Sequence, residues 1–182
     1  MKYRSYHDPT HLYFVTSTII GWKRVFLNPE YARIVLESLS WLRSRRRWKL
    51  YGFVIMPNHL HYLVQPMGKW TTSAVVHSFH SYSAHHLIRV LRQRGESKLL
   101  QFFFKSAQKL DDRHLRIWDD ALDENIYSPE IAVQKLEYIH NNPLQEHWLL
   151  VADRIAYSYS SARYYDADVP AIIEIDDLRD IL

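Results

Sequence analysis

The order of apolar patterns along the 182-residue chain predicts an α+β fold built on an antiparallel sheet. Short runs rich in aromatic and β-branched residues, typical of strands, alternate with longer segments in which apolar residues recur about every 3.6 positions, as in helices. The predicted order is β-α-β-β-α-β-α. This is the order of a ferredoxin-like split βαβ sheet with helices on one face, extended by one added C-terminal helix.

The first half of the chain has clear element boundaries. Residues 11–20 are predicted to form the first strand. Asn28-Pro29 is typical of a helix start, with asparagine as the N-cap and proline in the first turn. The helix that follows ends in the basic stretch Arg43–Lys49. Residues 50–56 and 59–65 are predicted to form a β-hairpin.

The second half is less regular. A long helix is predicted from about Thr71 to Gln93, and the segment after it is ambiguous. In that segment Phe102–Phe104 indicates either a short strand or a packed loop. Residues 121–126 are predicted to form the last strand. Ser128-Pro129 then begins a final helix, which ends before Pro143.

The composition excludes several classes of function. The chain has no cysteine, which excludes disulfides, thiolate zinc sites and thiol catalysis. The N-terminus is polar, with no pattern of a signal peptide, and no apolar run has the roughly 18–20 residues needed to cross a bilayer. We therefore expect a soluble, cytoplasmic protein with no membrane partner.

Charge is distributed unevenly along the chain. Residues 1–118 contain 19 Lys and Arg against 6 Asp and Glu, whereas residues 119–182 contain 4 against 14. This asymmetry favours a basic surface that neutralises the phosphates of a nucleic acid. The alternative is an ordinary solvated surface with an uneven distribution of charge.

The triplet His59-Leu60-His61 is the sharpest local signal of a site. Residues two apart on a strand point to the same face, so both imidazoles are expected to project side by side. Neutral imidazole is a common metal ligand, which makes the pair a candidate metal site. The alternative is two polar residues on a solvated strand face, in a chain that has 11 histidines.

A second candidate lies in the last predicted helix. Tyr138 and Asn142 are one turn apart on one helix face, whereas His140 is about 200° from Tyr138 and should face away. A phenol can act as a nucleophile towards a phosphate, and an amide oxygen is a hard ligand that suits Mg²⁺ or Mn²⁺. The alternative is that Tyr138 is structural, because the chain has 13 tyrosines and most of them must have structural roles.

Four segments in this order resemble motifs of one known family. Val54–His61 (VIMPNHLH) is similar to the His-hydrophobic-His motif of the single-tyrosine HUH transposases. Tyr138–Pro143 (YIHNNP) resembles the tyrosine helix of their REP-associated branch, the REP-associated tyrosine transposases. Arg116–Ala121 (RIWDDA) and Tyr157–Ser161 (YSYSS) are similar to the segments before the last strand and after the tyrosine helix in that branch. The resemblance covers roughly residues 7–165.

The resemblance implies a DNA strand transferase that cleaves single-stranded DNA, often beside a hairpin, and leaves a 5′-phosphotyrosine and a free 3′-OH. It implies His59, His61 and Asn142 as metal ligands and Tyr138 as the nucleophile. It also implies a transposase/nuclease domain over residues 1–165, followed by an acidic tail over residues 166–182 that matches no motif of the family. The sequence leaves open whether the protein is a monomer or a homodimer.

The basic stretch at the end of the first helix is the main candidate for DNA contact. It combines cations with an aromatic ring that could stack on a base. The alternative is a solvated helix end favoured by the helix macrodipole. The segments 22–24 and 98–109 are further candidates. The residues predicted to contact nucleic acid are Arg43, Arg45, Arg46, Arg47, Trp48, Lys49 and Lys105.

Two other functions compete with the transposase hypothesis. One is a non-catalytic nucleic-acid-binding module on the same ferredoxin-like sheet, which would need aromatic stacking residues on the open sheet face. His59 and His61 are expected there instead. The other is a metal-dependent phosphoesterase that uses the histidines but not Tyr138. A covalent protein–DNA adduct would distinguish the two enzymes.

Overall fold

A computed structural model describes residues 10–109 and 116–182. Its sheet has four antiparallel strands in the order β2-β3-β1-β4. This order is that of a ferredoxin-like sheet, and the predicted fold class is confirmed. The strands are β1 Leu12–Thr18, β2 Trp48–Ile55, β3 His59–Pro66 and β4 Leu122–Ile126.

Five α-helices accompany the sheet within the described residues, and local sequence explains where three of them begin. The side chains of Asn28, Thr71 and Ser128 each accept a hydrogen bond from a backbone N–H of the helix that follows, as N-caps do. Proline follows Asn28 and Ser128, where its missing N–H costs nothing. The helices are α1 Pro29–Ser44, α2 Thr72–Gln93, α3 Ser97–Lys109, α4 Pro129–Asn141 and α5 Ala162–Ala167.

The helices lie on both faces of the sheet. Helices α1 and α2 cover the face that presents Val15, Leu60 and Tyr62. The added helix α4 packs on the opposite face. Gly52 in β2 leaves room for this helix, because a Cβ at that position would lie 2.5 Å from Leu136 Cδ1 and the leucine side chain would have to shift.

The segment Ser97–Lys109 is a helix, so the prediction of a short strand or a loop around Phe102–Phe104 was wrong. Three consecutive phenylalanines show neither the helical nor the strand periodicity, so they do not distinguish a helix from a strand. The decisive pattern is the spacing of Leu99, Leu100, Phe103 and Ala107, which places the buried Phe103 and Ala107 one turn apart. None of the described helices has the length and apolarity needed to cross a membrane.

The outer edge of β2 is covered by the chain that follows α4. Ser161 N donates to Phe53 O, Ile55 N donates to Tyr159 O, and Asp176 N donates to Leu50 O. Residues on both sides of position 165 therefore contact the same strand. The division into a domain and an acidic tail at that position stays a prediction.

Candidate active site

The two histidines of β3 form the floor of the candidate site. In the register of the sheet His61 is opposite Thr16 and His59 is opposite Thr18 of β1, on the face covered by α4. The centroids of the two imidazole rings are 4.8 Å apart. Both side chains are buried. Strand alternation alone accounts for this pairing.

A neighbouring side chain orients each ring. His59 Nδ1 is 2.6 Å from Asn58 Oδ1, an acceptor, so Nδ1 carries the proton and Nε2 keeps its lone pair. His61 Nδ1 is 2.8 Å from the Thr16 hydroxyl. When His61 Nδ1 donates to Thr16, the Nε2 atom of His61 also keeps a free lone pair. Partners of this kind fix the orientation of imidazole ligands in metal sites.

The surroundings of the site keep both imidazoles neutral. Burial, together with the charge of His147, lowers the pKa of His59 to about 4. Burial, together with the charges of His59 and Lys135, lowers the pKa of His61 to about 3. Neutral imidazole is the form that binds a metal ion, so at neutral pH no proton has to be displaced.

Tyr138 approaches the histidines from α4. Its ring centroid is 5.2 Å from that of His61 and 5.8 Å from that of Phe14. The residue is 43% exposed, although its helix packs on the sheet. The phenol is therefore beside the buried imidazole pair and open to solvent, a position from which it can reach a substrate.

Asn142 follows Tyr138 by one turn, at the C-cap of α4. It is buried, and its Oδ1 has no hydrogen-bond partner among the described residues. An unpaired buried oxygen is costly, and coordination of a cation would satisfy it. The described residues contain no cluster of three His, Cys, Asp or Glu side chains. Two imidazoles and an amide oxygen are donors of the kind that suit a divalent ion whose coordination is completed by phosphate or water oxygens.

His140 points away from Tyr138, as the helical period predicts. It is buried, and its Nε2 is 2.9 Å from the Ser161 hydroxyl near β2. Burial lowers its pKa to about 4. This position removes His140 as a general base for Tyr138 and gives it a role in holding α4 against the segment at the edge of β2.

Sequence reasoning missed three residues of the site. Phe14 stacks on His61 with ring centroids 5.3 Å apart. Thr16 orients the same histidine, and Lys135 Nζ lies 4.9 Å from the centroid of Phe14 and 2.6 Å from Glu124 Oε2. Only Lys135 had a local signal, since it is three residues before Tyr138 on the same helix face.

Two predicted DNA contacts are wrong. Trp48 is completely buried, and its Nε1 donates to Leu39 O, so it offers no surface for stacking. The Arg43 guanidinium is bound by Glu174 and Asp176 and is therefore not free for a phosphate. The remaining predicted cations reach solvent: Arg45, Arg46 and Lys105 are exposed, and Arg47 and Lys49 are partly exposed.

Two solved structures align with this fold. One, of a REP-associated tyrosine transposase bound to a REP hairpin, aligns with a TM-score of 0.68 at 16% sequence identity, over 98% of this chain and 93% of that one. Another, from Deinococcus radiodurans and also described as a transposase, aligns with a TM-score of 0.43 at 17% identity, over 78% of this chain and 96% of that one. No curated protein sequence matches the chain.

Sequence comparison gives the family directly. Residues 10–110, more than half of the chain, match the family described as IS200-like transposases. The matched segment contains β1 to β3, with both histidines of the candidate site. The chain belongs to the IS200-like transposase family.

Proposed function

We propose that this transposase cleaves and rejoins single-stranded DNA beside hairpins through a covalent bond to Tyr138. The observation that carries the proposal is the position of the phenol, exposed to solvent with its ring centroid 5.2 Å from that of the buried His61. The resemblance of residues 138–143 to the tyrosine helix of the REP-associated branch supports the same assignment.

The proposed step is an exchange of phosphate esters. The Tyr138 oxygen attacks the scissile phosphorus, the bond from phosphorus to the 3′-oxygen breaks, and a 5′-phosphotyrosine forms. The phenol loses one proton and the departing 3′-oxygen gains one, so the step is balanced without an external energy source. Attack by a 3′-OH on the phosphotyrosine reverses the step and rejoins the DNA, which is the advantage of covalent catalysis here.

The proposed ligands of the metal are His59 Nε2, His61 Nε2 and Asn142 Oδ1. A bound Mg²⁺ or Mn²⁺ supplies a Lewis acid that polarises the scissile phosphate. The residues themselves contribute preorganisation: Asn58 and Thr16 orient the imidazoles, and α4 holds the phenol beside them. Burial keeps the imidazoles neutral, and therefore able to bind the ion, at neutral pH.

The proposed substrate is a single strand with a hairpin. The REP-associated tyrosine transposase with the same fold is bound to a REP hairpin in its solved structure, which supports a hairpin as the partner of this chain. The proposed phosphate contacts are the exposed Arg45 and Arg46 and the partly exposed Arg47 after α1, together with the exposed Lys105 on α3. Neutralising all three arginines should weaken DNA binding and flatten its salt dependence, by about one unit of slope for each lost contact.

The decisive experiment uses end-labelled single-stranded oligonucleotides that carry hairpins, incubated with the protein and Mn²⁺. We expect a labelled protein band on a denaturing gel and a product with a free 3′-OH. Tyr138→Phe keeps the ring and its packing but removes the attacking atom, so it should bind DNA and form no adduct. Tyr127→Phe is the matched control, since Tyr127 is 75% exposed and outside the site.

Each competing function predicts a different pattern of bands on the denaturing gel. A phosphoesterase that uses only the histidines would cleave without an adduct and would tolerate Tyr138→Phe. A non-catalytic binding module would give neither product nor adduct. An adduct that persists in Tyr138→Phe and disappears in Tyr159→Phe would transfer the nucleophile to the motif of residues 157–161.

A further inference from the structure

A cluster of planar side chains lies on the other side of the sheet, where α1 meets α2. This cluster, called here the tryptophan–arginine cluster, consists of Trp41, Arg47, Trp70 and Tyr82. The Arg47 guanidinium carbon lies 4.7 Å from the ring centroid of Trp41 and 4.5 Å from that of Trp70. The rings of Trp41 and Tyr82 are stacked, with centroids 5.0 Å apart and planes 2° from parallel. All four side chains are partly exposed.

Three members of the cluster, Trp41, Arg47 and Tyr82, line an open cavity of about 410 Å³. The cavity is continued along α2 by polar side chains: His77, Ser78, Ser81, His85 and His86. Its floor is therefore aromatic at one end and polar along the helix. A nucleotide combines these two properties, because its base has a flat apolar face and a polar edge.

Charge at one end of the cluster favours an anionic ligand. Among the described residues, no carboxylate forms an ion pair with Arg45, Arg46 or Arg47. The preceding Arg43, in contrast, is held by two carboxylates. Glu37 is near the opposite end, where its charge acts on His86. The unpaired cations are thus concentrated beside Trp41 and Trp70.

The backbone at Arg46 ends helix α1 in a left-handed conformation. Arg46 N donates to Arg43 O and Arg47 N donates to Leu42 O, a pattern that ends a helix with one residue in the left-handed region. That residue is Arg46, with φ 51°. Glycine is the usual occupant of this position, because an L side chain is strained there. Arg46 occupies this position with its side chain exposed.

We propose that the tryptophan–arginine cluster binds an unpaired nucleotide of the DNA substrate, with the base stacked on Trp70 and Trp41 and the adjacent phosphates held by Arg45 and Arg46. The Arg47 guanidinium is planar and lies 4.7 Å from the ring centroid of Trp41 and 4.5 Å from that of Trp70, over ring faces on which a base would stack. A phosphate of the incoming strand draws the guanidinium out, and the base takes its place. The proposal rests on the proposed function only in taking single-stranded DNA as the substrate.

The position of the cluster separates this nucleotide from the one that is cut. Trp41 and Tyr82 are on α1 and α2, whereas Tyr138 is on α4, which packs on the opposite face of the sheet. A nucleotide in the cluster is therefore not the one presented to Tyr138. It belongs to a distant part of the same strand, and it contributes affinity without contributing to the chemical step.

Packing alone explains only part of the cluster. The stack of Trp41 on Tyr82 joins α1 to α2 and stabilises the fold whether or not DNA binds. Trp70 lies in the loop before α2, where it is partly exposed and contacts Arg47. Trp70 is therefore the residue at which stacking on DNA can be tested with the least disturbance of the core.

The test measures the binding of fluorescently labelled oligo(dT) of about 20 nucleotides, longer than the 4–16 nucleotides that one single-strand-binding domain typically covers. It is run without metal, so that cleavage cannot interfere. Since stacking contributes about 1–3 kcal/mol per base, Trp70→Ala should weaken binding roughly tenfold. Trp70→Phe should retain most of the affinity. An abasic strand of the same length should bind wild type and Trp70→Ala equally weakly.

Tyr127→Ala, which removes an exposed ring elsewhere, is the control and should bind oligo(dT) like wild type. Unchanged affinity of Trp70→Ala for oligo(dT), or an equal loss on the abasic strand, would overturn the proposal. An equal loss on a duplex would overturn it as well, in favour of a duplex contact. If Trp70→Ala unfolds at a lower temperature than wild type, Trp70→Leu replaces it in the same test, because leucine keeps apolar volume but has no planar face. Absence of a Tyr138 adduct would leave these binding differences in place, so the two proposals fail separately.

Discussion

His61 and Tyr138 come from different layers of the fold, yet their ring centroids are 5.2 Å apart. Strand β3 supplies the first and helix α4 the second. The contact depends on residues that hold each partner in place. Phe14 touches both rings, Thr16 bonds the imidazole, and Gly52 allows α4 to lie close to the sheet.

Thr16→Val should weaken metal binding while leaving the fold intact. Valine has nearly the same shape as threonine but cannot bond His61 Nδ1, so the imidazole loses its fixed tautomer and orientation. Loss of such a partner typically lowers metal affinity about 10–100-fold. Titration calorimetry with Mn²⁺ measures the change. Thr16→Ser keeps the hydroxyl and should bind like wild type; equal affinity in all three proteins would show that Thr16 does not act on the ligand.

Acid should unfold the protein through histidines outside the proposed metal site. Burial lowers the pKa of His80 to about 3 and that of His140 to about 4, below the ordinary value of 6.5. A lowered folded-state pKa means that the unfolded chain binds more protons below pH 6.5, so stability falls as the pH falls from there towards the folded-state values. At about pH 5 each of the two histidines should cost up to about 2 kcal/mol.

Urea denaturation between neutral pH and about pH 5 measures this loss. His140→Gln keeps a polar side chain near Ser161 but does not titrate, so its stability should depend less steeply on pH than that of wild type. An identical pH dependence in the two proteins would mean that His140 is not buried in its neutral form.

The sequence predicted the elements well where local signals were strong. Asn28-Pro29 and Ser128-Pro129 marked the starts of α1 and α4, because caps and prolines act within one turn. Trp48 was assigned to the surface because the strand was expected to begin at residue 50, whereas β2 begins at Trp48 itself and turns its ring into the core. An error of two residues at a strand boundary was enough to move a side chain from a loop to the interior.

The candidate site was predictable only in part, for a different reason. His59, His61, Tyr138 and Asn142 stand out because each pair has a spacing that strand or helix geometry brings together. Phe14 and Thr16 reach the site through the register of β1 against β3, which pairs Thr16 with His61. Register is a property of two strands together, and no pattern within either strand reveals it.

Arg46→Gly should stabilise the protein and weaken its binding to DNA. Glycine relieves the strain of a left-handed residue at φ 51°, which is expected to raise the free energy of unfolding by about 1 kcal/mol. The same change removes one phosphate contact and should reduce the salt slope of DNA binding by about one unit. Thermal melting and salt titrations of binding measure the two effects. Arg46→Lys should keep the slope, and an unchanged slope in Arg46→Gly would place the contact elsewhere.

Asn142→Leu should lower activity without lowering the stability of the fold. The buried Oδ1 of Asn142 has no hydrogen-bond partner among the described residues, and an unsatisfied buried acceptor costs about 1–3 kcal/mol. Leucine has a similar shape and no polar atom, so without metal the variant should be at least as stable to urea as wild type. If Asn142 is the third ligand, the same variant should bind Mn²⁺ more weakly and form little Tyr138 adduct.

Asn142→Asp tests the same position with a charged ligand. The carboxylate keeps an oxygen where the metal ligand is proposed, and it adds a buried charge that only a cation would satisfy. The variant should be less stable than wild type without metal, and Mn²⁺ should recover much of that loss, since a ligand that binds only the folded state raises its stability. Asn141→Asp, on the exposed neighbour, should show neither effect. If Mn²⁺ stabilises Asn142→Asp no more than it stabilises Asn141→Asp, then Asn142 is not a metal ligand and its buried oxygen has a purely structural cost.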